Sequence, residues 1–153
     1  MSNTRRVVVT GTGVVTPVGN NVETFWKNIT NGVCGIDYIT QFPTDDLPVK
    51  IAGEVKDFNP ADYEIEAPFA RKQDKFTVFA VAAAYEAMKQ SGLNSAEGGN
   101  IDPFRLGVYV GSGIGGFSVQ YKETEKMIKD GAKWISPLFI PTMISNIAAG
   151  NIA

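Results

Sequence analysis

Two short β-branched runs, each followed by clustered glycines, and one long alanine-rich segment set the pattern of apolar and polar positions. Arg6–Thr10 (RVVVT) and Val108–Val110 predict short buried strands. Asn21–Asn31 predicts a helix with Asn20 or Asn21 as N-cap, Glu23 in the first turn, an apolar stripe of Phe25, Trp26 and Ile29, and a stop at Gly32. Ile36–Ala67, broken by Pro43, Pro48 and Pro60, reads as an excursion outside the sheet with one short extended piece at Lys50–Val55. Ala70–Ser91 is the strongest helix. It opens with Arg71, Lys72 and Lys75, turns apolar on nearly every side from Phe76 onward, and is capped by Gly92; such a helix is expected inside the protein. Phe117–Lys129 predicts another helix, with Lys122, Glu123, Glu125 and Lys126 wet, Val119, Met127 and Ile128 inward, and an end at Gly131. Finally Leu138-Phe139-Ile140 lies between Pro137 and Pro141, and Thr142–Ala153 reads as an apolar helix in which the chain stops in mid-stride. That end is the pattern expected of a piece cut from a longer chain.

The glycine clusters raise the question of a ligand. Gly111-Ser112-Gly113-Ile114-Gly115-Gly116 joins a strand to a helix, the layout in which open α/β sheets place ligands. The plain alternative is a tight connection with no ligand. Gly11-Thr12-Gly13-Val14-Val15-Thr16 also follows a strand and suggests a dinucleotide fingerprint, but Thr16 stands where the third glycine is needed and Pro17 breaks the helix that should start there.

Composition narrows the chemistry. The 153 residues carry a formal net charge of −2, which gives no bulk attraction to nucleic acid or an anionic membrane, and no apolar run has the length of a membrane span. A cytoplasmic protein is the default expectation, and the single cysteine, Cys34, rules out an internal disulfide. Cys34 has no basic neighbour in sequence and reads as a packed, inert thiol. There is no histidine, so no Ser-His or Cys-His mechanism can be assembled from these residues. The acidic residues of the excursion (Asp45, Asp46, Asp57, Asp62, Glu64, Glu66) lack metal-loop spacing and read as a solvated face. Neither a metal nor a cofactor is expected.

Several segments, in order, resemble one family: RRVVVTGTGVVTPVGN at Arg5–Asn20, GVCGID at Gly32–Asp37, AGEVKDFNP at Ala52–Pro60, ARKQDKF at Ala70–Phe76, GVYVGSGIGG at Gly107–Gly116 and ISPLFIPTMISNIAAGNIA at Ile135–Ala153. The sequence is similar to the β-ketoacyl-acyl carrier protein synthases of fatty acid synthesis, of the synthase II type. The resemblance implies an α/β thiolase-like fold of stacked αβαβα layers. These 153 residues would be the N-terminal part of the domain, with a mixed sheet and buried alanine-rich helices, ending before the nucleophilic cysteine. It implies a homodimer, with acyl- and malonyl-loaded acyl carrier protein as partner.

The reaction implied is a decarboxylating Claisen condensation. A cysteine thiolate accepts the acyl group, and histidines stabilise the developing enolate. In the family those residues lie beyond this sequence, Cys34 does not align with the nucleophile, and no residue here is expected to be catalytic. What carries over is Ile114 as the gate of the acyl pocket, Phe139 and Ile140 as pocket-lining positions across the dimer, and Arg71, Lys72 and Lys133 as basic positions facing the acidic carrier. Two positions depart from the family pattern: Pro68 replaces a frequent basic residue, and Ala132-Lys133-Trp134 replaces Pro-Arg-Arg/Lys. The competing expectations are a non-catalytic fragment that binds carrier protein or caps a subunit, and a dinucleotide-binding domain.

Overall fold

The long apolar helix predicted from the sequence is the axis of the molecule, but it is shorter than its pattern suggests. In the computed structural model, which describes residues 5–153, it runs Lys75–Ser91 (α3), and a separate short helix, Ala67–Lys72 (α2), precedes it. The break falls at Gln73 and Asp74, both extended (ψ 158° and 154°). Asp74 ends one helix and starts the next because its carboxylate accepts the Phe76 amide at 3.3 Å, an N-cap. Gly92 closes α3 in the left-handed conformation at φ 66°.

Around α2 and α3 the described residues form four further α-helices. Val22–Thr30 (α1) is capped by Asn21, whose side chain accepts the Thr24 amide at 2.8 Å. Phe117–Asp130 (α4) follows the glycine turn, and Phe139–Met143 (α5) and Ile147–Ile152 (α6) follow that; α6 packs on α3 with Ala148 and Ala82 both fully buried. The core proper is small: Tyr63, Ile65, Val78 and Ala82, flanked by Val15, Phe58, Phe69 and Tyr85. Phe58 stacks on Tyr63 at 5.4 Å and meets Phe79 edge-on at 4.9 Å, locking the 3₁₀ turn Pro60–Tyr63 onto α3.

Several expectations are corrected. The mixed sheet is not formed among the described residues: the strands are Ile36–Tyr38 (β1) and Ile51–Gly53 (β2), an antiparallel pair with Ile36 opposite Gly53 and Tyr38 opposite Ile51. Arg6–Thr10 and Val108–Val110 have strand composition but no ladder partner, and Val7, Val9 and Tyr109 are 88%, 84% and 101% exposed rather than buried. A strand is a paired object, and propensity alone does not make one. The single helix expected over Thr142–Ala153 breaks at Ile144–Asn146, because Gly116 takes the Met143 carbonyl (2.8 Å) from the helical ladder. On α1, Trp26 and Ile29 are exposed; on α4, Ile128 faces solvent while Glu123 turns inward to accept the Ser136 amide at 2.7 Å. Of the opening stretch, residues 1–4 lie outside those described.

Candidate functional site

The two glycine clusters have different physical roles. In the first, Gly11 and Gly13 let the chain lie directly on α3. A Cβ at Gly11 would sit 2.0 Å from the Ala87 carbonyl oxygen, and one at Gly13 would sit 1.9 Å from that of Ala83. The match is geometric. Residues i and i+2 of an extended chain are about 6.6 Å apart, and residues i and i+4 of a helix about 6 Å along the axis. The contact is fastened by Gln90, which accepts the Thr12 amide at 2.6 Å, and by Glu86, which accepts the amides of Val14 (3.0 Å) and Val22 (2.8 Å). The space a pyrophosphate would need beside Gly11 and Gly13 is filled by α3, which removes the dinucleotide alternative.

The second cluster is open where the first is closed. Gly111 and Gly113 have no atom within 4 Å of an added Cβ, and Ile114 projects outward, 70% exposed. The turn is nevertheless fixed at its far end. The Ser112 hydroxyl accepts the Gly115 amide at 3.0 Å, Gly115 takes φ 81°, and Gly116 donates to Met143. A side chain at Gly115 would strike the Met143 carbonyl oxygen at 2.4 Å. The Ile114 turn is therefore clasped to the C-terminal end of α5, the helix that carries Phe139 and Ile140. Pro141 is tolerated there because it lies in the first turn, where its missing amide leaves no ladder bond unmade. Phe139 is half-buried and Ile140 is 54% exposed.

Arg71 and Lys72 occupy the last turn of α2, exposed, where the helix C-terminus favours cations. Lys75 is one turn on and donates to Gln41 at 2.9 Å. Asp74 separates this basic stretch from the buried part of α3, and its other oxygen accepts the Val119 amide of α4 at 2.9 Å. Through that bond Asp74, two residues past Lys72, is tied to the start of α4, and its Cβ lies next to Gly116 at the end of the Ile114 turn. Lys133 is placed apart. It lies in the 3₁₀ turn Ala132–Trp134 beyond the other end of α4, about 20 Å along that helix axis, with its ammonium 5.4 Å over the Trp134 ring. Cys34 is exposed rather than packed, follows the C-terminal turn of α1, and has its Sγ 3.8 Å from the Ile36 carbonyl. Asp74 and the Met143 backbone went unread in the sequence. An aspartate immediately before a helix-forming run is an N-cap signal, and it could have located the first.

Away from this cluster, Glu54 is buried and accepts the Thr40 hydroxyl (2.7 Å) and the amides of Thr40 and Gln41. These bonds, the Thr40 hydroxyl foremost, hold its carboxyl below the usual glutamate range. Lys56 pairs with Asp37 at 2.6 Å, an exposed bridge that lowers the aspartate and raises the lysine.

This path of the chain is that of the ketosynthases, the thiolase-like α/β fold. It superposes with TM-score 0.79 on the ishigamide ketosynthase/chain length factor (27% identity, 97% of this chain and 36% of that one). It also superposes with TM-score 0.74 on a chain of the structure described as "AntDE:AntF (apo): type II PKS acyl-carrier protein in complex with its ketosynthase bound to the hexaketide" (26% identity, 95% of this chain and 37% of that one). In sequence, the "Beta-ketoacyl synthase, N-terminal domain" family matches residues 4–153, and the chain belongs to that family. Among similar proteins are 3-oxoacyl-[acyl-carrier-protein] synthase 2 of Staphylococcus aureus strain COL, 40% identical over the whole chain and 36% of that protein, and that of Coxiella burnetii strain RSA 493, 41% identical over 97% of the chain and 35% of that protein. The chain thus spans about a third of the length of the curated relatives it matches.

Proposed function

We propose that residues 1–153 form the N-terminal part of a ketoacyl-synthase domain, and that the whole protein is a 3-oxoacyl-acyl carrier protein synthase of type II. The single observation that carries this is the match of the entire chain, in order, to synthase 2 relatives at 40% identity. The reaction is a condensation. An acyl group passes from carrier protein to an enzyme cysteine thiolate, and malonyl carrier protein loses carbon dioxide. The carbanion left behind attacks the acyl thioester, releasing the thiolate and leaving a 3-oxoacyl carrier protein. That chemistry needs a thiolate at an activating position and donors for the enolate oxygen. With no histidine and with Cys34 after a helix C-terminus, the 153 residues by themselves are expected not to condense.

Their part is substrate handling. Ile114 gates the acyl chain, Phe139 and Ile140 line its pocket across a homodimer, and Arg71, Lys72 and Lys133 meet the acidic carrier protein, in the cytoplasm. The clasp between the Ile114 turn and α5 and the exposed basic end of α2 support this division of roles. The test is titration of acyl carrier protein into the chain at two ionic strengths. The double variant Arg71→Glu/Lys72→Glu should weaken binding by about tenfold and flatten its salt dependence. Binding indifferent to both reversal and salt would refute the basic docking site.

A further inference from the structure

Asp74 makes more bonds than a helix cap requires. It is 5% exposed, and its two oxygens serve two helices far apart in sequence: Oδ1 accepts the Phe76 amide in the first turn of α3, and Oδ2 the Val119 amide in the first turn of α4. α4 needs this help. Its own N-cap position is Gly116, which has no side chain to accept a hydrogen bond. Two helix N-termini converge on one carboxylate, and both favour negative charge there. The same residue packs on the turn: a Cβ at Gly116 would lie 3.2 Å from the Asp74 Cβ, 2.8 Å from the Thr142 carbonyl oxygen and 3.0 Å from the Met143 Cα. Three segments meet at this point: the link between α2 and α3 that holds Asp74, two residues past Lys72, the turn bearing Ile114, and the C-terminal end of α5, whose first turn bears Phe139 and Ile140.

We infer that Asp74 is a positioning residue: it fixes the Ile114 turn and α5 relative to the basic end of α2, so that occupation of Arg71 and Lys72 is felt at the acyl gate. Its action on the gate rests on the function proposed above, whereas the mechanical link does not. A serine is the informative replacement. As a good N-cap it keeps the bond to the α3 amide, and it is too short to reach α4. Amide hydrogen exchange followed by NMR in the 153-residue chain should show Val119 exchanging roughly tenfold faster in Asp74→Ser, with Phe76 unchanged. In Asp74→Asn, which keeps one acceptor for two amides, either Val119 or Phe76 should lose protection.

The second arm adds acyl carrier protein. In the parent chain, resonance shifts at Arg71–Lys72 should be accompanied by shifts across Gly111–Gly116. In Asp74→Ser the first set should remain and the second vanish. Unchanged Val119 exchange in both variants overturns the link. Gate shifts that survive Asp74→Ser overturn the coupling. If carrier protein shifts neither segment in the parent chain, the functional reading and the coupling fall together, and Val119 exchange still decides whether Asp74 holds the turn.

Discussion

Replacing Gly13 by alanine tests how the chain is seated on its central helix. The added Cβ would lie 1.9 Å from the Ala83 carbonyl oxygen, 2.8 Å from its carbon and 3.1 Å from the Ala87 nitrogen. All three are backbone atoms in the middle of a 17-residue helix, so no side chain can swing aside. The two backbones have to part by about 1 Å, an overpacking that costs about 1–3 kcal/mol. The same displacement pulls the Val14 amide off the Glu86 carboxylate and the Thr12 amide off Gln90, now at 3.0 and 2.6 Å. Losing one hydrogen bond to a charged acceptor adds about 1.5–3 kcal/mol. The expected loss is roughly 2.5–6 kcal/mol, a large share of a typical domain's 5–15 kcal/mol or so. Urea unfolding followed by far-UV circular dichroism measures it, provided the slope with denaturant is unchanged. Gly107→Ala is the control. No atom lies within 4 Å of its added Cβ and its φ is not positive, so it should be neutral or stabilise by about 0.4–1 kcal/mol through the unfolded chain. A Gly13→Ala protein within about 0.5 kcal/mol of the parent would refute the close-packing account.

Two further outcomes follow from other parts of the molecule. Because hydrogen bonds hold the folded Glu54 carboxyl below its ordinary value of 4.5, its contribution is fully present above that pH and is lost as pH falls through the lower folded value; Glu54→Gln should flatten the acid limb of a plot of Tm against pH, and an unchanged limb would mean the Thr40 bonds contribute nothing. Ile114→Phe adds bulk at the exposed tip of the turn, so carrier protein loaded with a sixteen-carbon acyl group should bind less well relative to one carrying four carbons, and equal loss for both would remove Ile114 from the gate role.

What could be read from the sequence was what local chemistry determines. Asn21 and Gly32 bracket α1, Gly92 closes α3, and α4 begins at Phe117 straight after the glycine turn. The features that escaped depend on partners distant in sequence. Asp74 interrupts the helical pattern as the local N-cap of α3, but its second bond reaches a residue 45 positions away, and the α5–α6 break exists because Gly116 claims the Met143 carbonyl. Glu123 reads as a wet-face residue until the Ser136 amide is known to lie beside it. Of the candidate site, the residue identities came from family resemblance. The link of Asp74, two residues past Lys72, to the start of α4 and the Ile114 turn came only from the fold, as did the place of Lys133 after the other end of α4.

The same helix explains why a chain with so small a core holds its candidate site in a defined geometry. Its alanine face accepts backbone rather than side chains, so Gly11 and Gly13 are seated by close approach and by Glu86 and Gln90, not by apolar bulk. Its first residue is preceded by the carboxylate that caps α4, and it packs against α6, with Ala82 of α3 and Ala148 of α6 both fully buried. Among the described residues five apolar residues are buried, while Val7, Phe104, Tyr109, Ile114, Phe117, Tyr121 and Ile128 are each at least 62% exposed. Most of the order near the glycine turn therefore comes from directed hydrogen bonds at helix ends, which are short-range and geometrically exacting. An apolar contact tolerates a shift of several tenths of an ångström, but a carboxylate shared between two helix N-termini does not. If the turn carries a gate, its position is set more by Asp74 than by the hydrophobic residues around it.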